Sequence, residues 1–288
     1  RSSATTTSTC SPSPAAPIVK QYSVAANRRF NIWVDLEDAG LAATDVSAVI
    51  RVTNSAPIIV ERAMYRDVPG QVFGAGHGSA GVTAPATEWF LAEGATGPYF
   101  DLFVLVANPG DINAQIEATY LLPDGSTLAI PYTVPANSRF NIWVDHADPR
   151  LADTAVSTTI RSLNGQPVIV ERAMWWPDGA WTEAHDSAGA TSSGTLWAVA
   201  EGEVGGPLDP VAYILVANTS GRDATIDVKL LLEDGTVLQR TFQVSAHSRF
   251  NVDARAHFPL AVGKRFGALV ESVGTSPAQI VVARAMYW

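Results

Sequence analysis

Arg29-Phe30-Asn31-Ile32-Trp33-Val34-Asp35 is written again as Arg139-Phe140-Asn141-Ile142-Trp143-Val144-Asp145, and in shorter form as Arg249-Phe250-Asn251-Val252-Asp253, in steps of 110 positions. Other segments recur with it. Pro57-Ile58-Ile59-Val60-Glu61-Arg62-Ala63-Met64 matches Pro167 to Met174, with a third version at Ile280 to Met286. Trp89-Phe90-Leu91-Ala92-Glu93-Gly94 pairs with Trp197 to Gly202, and Val106-Ala107-Asn108-Pro109-Gly110 with Val216 to Ser220. So many matches at nearly one spacing identify an internal repeat, and a repeat decides the architecture before any single element does.

Within a copy the apolar period is two. Ile116, Ala118, Tyr120 and Leu122 alternate with Gln115, Glu117, Thr119 and Leu121, and Ile226, Val228, Leu230 and Leu232 repeat the pattern. That is the signature of half-buried strands. Asp124-Gly125 and Asp234-Gly235 end these runs, a hairpin signal that predicts positive φ at both central positions. The second copy reads as seven strands, near 88–93, 100–107, 115–122, 127–134, 139–145, 155–162 and 167–176. Seven short strands in one copy predict an all-β fold of tandem immunoglobulin-like sandwiches, with a small barrel as the alternative.

Stretches rich in Gly, Ser, Thr, Ala and Pro set the phase of the repeat. They predict a Ser/Thr/Pro-rich tail at 1–17, an incomplete first repeat at 18–65 and a linker at 66–86. A complete second repeat at 87–176, a linker at 177–194 and a complete third repeat at 195–288 follow. Residues 1–16 stand where the third strand of the first copy belongs, yet show no alternation and contain Pro12 and Pro14. Four strands are expected in that copy and three are missing. An open sheet of this kind is a template for pairing with other copies of the chain.

Composition narrows the function classes. The net charge of −9 argues against a nucleic-acid partner, which calls for a basic footprint. Apolar residues make up 47% of the chain, but no run approaches the ~20 residues of a membrane-spanning helix. Arg1 to Thr9 lack the apolar stretch of a leader. The single cysteine, Cys10, excludes an internal disulfide and reads as an ordinary thiol in a tail.

Taken together, the quoted segments resemble a repeat of large secreted or surface-exposed bacterial proteins. Its order is Trp-x-Leu-Ala-Glu-Gly, Ala-Asn-Pro-Gly, Ser-Arg-x-x-x-x-Val-Asp and Pro-x-x-x-Glu-Arg-Ala-Met. The likeness covers nearly everything from about residue 18 onward. It implies an extracellular or cell-surface location and modular use, and it implies no reaction. Two departures stand out: Ala283 where Glu is usual, and a first copy without the first two motifs.

Candidate chemistry is sparse. Gly76-His77-Gly78-Ser79 and Ala184-His185-Asp186-Ser187 bring His, Asp and Ser together in sequence. A triad needs convergence in space, which neighbours in one extended segment do not achieve. His77 and His185 are therefore expected as packed histidines between domains. Trp175, Trp176 and Trp181 crowd the junction after the second copy. They are expected in interdomain packing, with stacking on sugar rings as the alternative. No cofactor, metal or catalytic residue is expected.

A repeated ion pair is the sharpest expectation. Val168, Val170, Arg172 and Met174 share one strand face, as do Ile280, Val282, Arg284 and Met286. A buried arginine needs a counter-charge. Glu93 and Glu201 share faces with Trp89 and Trp197, so Glu93–Arg172 and Glu201–Arg284 are expected as bidentate structural salt bridges. Arg62 lacks a glutamate in its own copy and is expected to take one from another chain or turn to solvent. The whole predicts a non-enzymatic structural or adhesive protein: a spacer, a surface-layer component or a filament subunit. The alternative is a carbohydrate-binding array.

Overall fold

The computed structural model describes residues 16–288; most of the Ser/Thr-rich tail, Cys10 included, lies outside them. The chain is all-β, with several antiparallel sheets and only single helical turns between strands among the described residues. In the second copy the strands are β3 (Glu88–Leu91), β4 (Asp101–Asn108), β5 (Ala114–Leu121), β6 (Thr127–Val134), β7 (Ser138–Trp143), β8 (Ser157–Ser162) and β9 (Ile169–Trp176). The third copy holds β11 (Leu196–Val199), β13 (Val211–Asn218), β14 (Ala224–Leu232), β15 (Val237–Val244), β16 (Ser248–Asp253), β17 (Lys264–Val273) and β18 (Ile280–Tyr287). A short extra strand, β12 (Glu203–Val204), pairs with β17.

Both copies use one strand order. One sheet runs β3-β8-β5-β6 in the second copy and β11-β17-β14-β15 in the third. The other runs β9-β4-β7 and β18-β13-β16. The two sheets of each copy share one core. Trp89, Ile116, Tyr120 and Ile160 come from one sheet of the second copy, and Leu102, Val104, Ile142 and Met174 from the other. These orders differ from the immunoglobulin arrangement, in which the first strand pairs with the second. Here the first strand pairs with the sixth, and the second is the hub between the fifth and seventh.

The hairpins also depart from expectation in one detail. Gly125 and Gly235 have φ of 84° and 83°, whereas Asp124 and Asp234 stay out of the left-handed region. The loop is the longer form with a single left-handed glycine. Its aspartate instead accepts from the backbone, Ser126 N to Asp124 Oδ1 at 2.9 Å and Thr236 N to Asp234 Oδ1 at 2.9 Å.

Two stretches read as linkers carry strands. β2 (Gln71–Ala80) pairs with β1 (Glu61–Val68), and β10 (Glu183–Ala188) pairs with β9 in the matching register. Arg62 faces Ser79 and Met64 faces His77; Arg172 faces Ser187 and Met174 faces His185. The last strands of the first and second copies thus each gain one further partner from the segment that follows.

The first copy contradicts the expectation of four strands. Among the described residues before Glu61 there is no ladder, only a helical turn at Val34–Glu37 and a tighter one at Ala39–Leu41. The strand order explains this. The fourth, fifth and sixth strands pair only with the first, second and third, which have no counterparts among the described residues of this copy. The seventh forms, as β1, because β2 follows it directly.

Candidate functional site

The groups that sequence analysis singles out converge where one copy meets the next. Arg172, on the core face of β9, is buried. Its Nη2 donates to Glu93 Oε2 at 2.6 Å and to Ser187 Oγ at 3.1 Å, and its Nη1 lies 3.1 Å from His185 Nδ1. The guanidinium therefore gives one prong to the carboxylate and shares the rest, rather than forming the expected bidentate fork. Tyr287, from the third copy, donates to Glu93 Oε1 at 3.2 Å. His185 Nε2 stands 3.4 Å from the same oxygen.

Burial by itself would raise the Glu93 carboxyl. The Arg172 charge and hydrogen bonds from His185 and Tyr287 outweigh it, and the group titrates below its ordinary range. A carboxylate held ionised is a poor proton donor at neutral pH. Burial also pushes the Tyr287 phenol up, with the nearby Glu93 charge adding to it.

His185, Asp186 and Ser187 occupy successive positions of β10, so His185 and Ser187 face Arg172 while Asp186 faces the other way. Ser187 receives its hydrogen bond from Arg172 rather than giving one to His185. On the opposite face, Asp186 meets the first copy. His77 Nδ1 lies 3.1 Å from Asp186 Oδ1, misaligned for a hydrogen bond, and Arg62 pairs with the same carboxylate. Arg62 also reaches Glu171 at 3.2 Å. Its counter-charges come from the second copy and β10, neither from another chain nor from solvent. Burial would raise Asp186, but the His77 and Arg62 contacts keep it below its ordinary value.

A second contact repeats along the chain. Arg139 Nη1 stands 3.5 Å from Asp45 of the first copy, and Asn141 Nδ2 donates to Asp45 Oδ2 at 2.7 Å. Arg249, the same position one copy later, donates to the backbone of the second copy, to Gly94 O and to Val156 O at 3.3 Å. Burial pushes Arg249 down to about 10, partly offset by Glu93, so it remains charged at neutral pH. Around it Phe90 and Ala92 of the second copy pack on Ala217 and Val281 of the third.

The junction tryptophans divide. Trp176 is buried, its ring 5.5 Å from Tyr287 and 5.3 Å from His185, and its Nε1 donates to Glu183 at 3.1 Å. Trp175 and Trp181 are half-buried and lie 6.1 Å apart. Trp181 and Trp143 both donate to the buried Asp101 carboxylate, and Arg66 of β1 sits 5.5 Å over the Trp181 ring. Phe103 joins this patch 5.2 Å from Trp143. Asp101 has no acidic counterpart in the third copy, where Val211 stands, so sequence reading missed the carboxylate at the centre of the patch.

Glu201 and Arg284 lie 3.2 Å apart but largely in solvent, with side chains 67% and 31% exposed. Asn108 and Asn218 are pins: each amide donates to three backbone carbonyls, at 2.8–3.0 Å for Asn108 and 2.8–3.1 Å for Asn218. Among the described residues no group of His, Cys, Asp and Glu has metal-holding geometry. Among the described residues no helix is long and apolar enough to cross a membrane.

No family model and no curated protein matches the chain. Among solved structures it is similar to Thermotoga maritima 1070, at 16% identity over 38% of this chain and 96% of that one, TM-score 0.33. The Anabaena sensory rhodopsin transducer is similar at 26% identity over 32% and 86%, TM-score 0.28. Red sea bream transglutaminase gives 13% identity over 68% and 29%, TM-score 0.16. Likeness at these scores carries no functional argument.

Proposed function

We propose that this chain is a non-enzymatic extracellular structural or adhesive module, a spacer or appendage component built from sandwich repeats clamped end to end. The observation that carries this reading is where the buried charges go. Arg172, Glu93, Arg249 and Asp186 all serve contacts across or beside a copy boundary. Ionic groups buried in this way specify geometry between units more than they add stability. A stalk whose copies must keep a set orientation needs such groups. The exposed apolar face of the first copy fits association with other copies of the chain. Immunogold labelling of intact cells, with protease shaving as a parallel arm, tests the reading. Surface label lost on shaving is expected; label confined to the cell interior overturns it.

The carbohydrate-binding alternative rests on one observation, the ring of Trp143, 38% exposed beside Trp181. Against it, Asp101 already accepts from both indoles and leaves little to hold a sugar hydroxyl. Titration with soluble polysaccharides is expected to leave tryptophan fluorescence unchanged. Saturable quenching abolished by Trp143→Ala would favour the alternative.

A further inference from the structure

Two buried arginines share one carboxylate at the boundary between the second and third copies. Arg172 comes from β9 and Arg249 from β16, and each is 3% exposed. Glu93, buried just after β3, stands between their charges. The strands packed around it each present a group: Arg172 from β9, His185 from β10, Tyr287 from β18 and the Arg249 charge from β16. Asp186, on the other face of β10, is already engaged by His77 and Arg62. Within this cluster Glu93 is the anion.

Ownership of these groups divides at the boundary. Arg172 and His185 stand on the same side as Glu93, whereas Tyr287 and Arg249 belong to the third copy. Arg249 reaches across to the carbonyls of Gly94, next to Glu93, and of Val156, and its Nε has no hydrogen-bond partner. The Arg172 charge opposes that of Arg249, and Glu93 offsets the opposition. Without the anion, two buried cations would face each other uncompensated, an arrangement that burial does not tolerate. Around the cluster the contact is apolar, Phe90 and Ala92 on Ala217 and Val281. Each copy keeps a core of its own, so the two can part without unfolding.

We infer that Glu93 is an acid-released latch for this junction. Ionised, it holds Tyr287 and Arg249 of the third copy against the second. When it takes up a proton both are freed, and the junction opens while each sandwich stays folded. Glu93 titrates below its ordinary range, so the latch is closed at neutral pH and opens as pH falls through that lower value. The device goes beyond the structural role proposed above and holds wherever the chain works.

The test places spin labels at the exposed positions Leu163→Cys and Val237→Cys of a full chain carrying Cys10→Ser, and measures the distance between them from pH 7 to pH 3. Circular dichroism of the same samples follows the strands. The distance distribution is expected to be narrow at pH 7 and to broaden by about twofold or more in acid, with the strand signal retained. Glu93→Gln should be broad already at pH 7. Arg249→Gln removes the stranded cation and should stay narrow into acid. A parent distribution that keeps its width, or broadens only as the strand signal is lost, overturns the inference. So does a folded Glu93→Gln chain that is narrow at pH 7. An Arg249→Gln chain that is broad at pH 7, or answers acid as the parent does, overturns it too. Should Glu93→Gln fail to fold, the parent and Arg249→Gln curves decide.

Discussion

The first and second copies carry nearly the same residues and lead opposite lives. Ile160 and Met174 are fully buried, while Ile50 and Met64, their counterparts, are 48% and 44% exposed. Ile32 and Ile58 are exposed where Ile142 and Val168 are buried. Side-chain chemistry is not the difference. A strand satisfies its backbone only through a neighbour, and the first three strands are the neighbours on which the fourth, fifth and sixth depend. The helical turns after the fifth strand survive in both copies because their hydrogen bonds are local. Asp38 Oδ1 accepts from Gly40 N at 3.0 Å, just as Asp148 Oδ1 accepts from Arg150 N at 2.9 Å.

The strongest challenge to this comparison is to supply the missing hubs. Joining residues 86–122 ahead of Ser13 should convert 30–60 into paired strands. Amide exchange at Ile32, Ile50 and Ile58 is expected to slow by roughly two orders of magnitude or more. Unchanged exchange would mean that strand pairing does not account for the exposure of the first copy.

Single substitutions grade the same contrast. Glu93→Gln leaves Arg172 buried without its counter-charge and should cost about 3–5 kcal/mol in denaturant unfolding. Glu201→Gln, at the exposed pair, should cost no more than about 1 kcal/mol. Equal losses would break the distinction between covered and uncovered pairs. Met174→Ala is expected to cost about 2–5 kcal/mol and Met64→Ala no more than about 0.5 kcal/mol, by the same measurement.

Acid gives the smallest but most diagnostic effect. Glu93 and Asp186 titrate below their ordinary values in the folded chain, so the unfolded chain binds protons first as pH falls. Their stabilisation is complete above the ordinary carboxylate range, near 4.5 for glutamate, and is lost as pH drops through the lower folded values. Unfolding curves from pH 7 to pH 3 should show this loss, with a shallower slope in Glu93→Gln. A parallel slope in that variant would remove Glu93 as a contributor.

Alternation at Ile116, Ala118 and Tyr120, the turn aspartates and the repeat spacing were enough to place the seven strands of the second copy within a residue or two. These are local signals, set by which faces of a strand meet the core. Arg172 and Glu93 were legible as a pair for a related reason: each is a charge among core residues and needs a partner. Strand order was beyond such reasoning, because an alternating pattern says which face is buried and nothing about which strand lies alongside. Hence the non-immunoglobulin order, the strands at 71–80 and 183–188, and the unpaired first copy emerged only in three dimensions. The junction has the same origin. Tyr287 meets Glu93, and His77 meets Asp186, only because whole copies pack against one another, and their separation in sequence leaves no periodic trace.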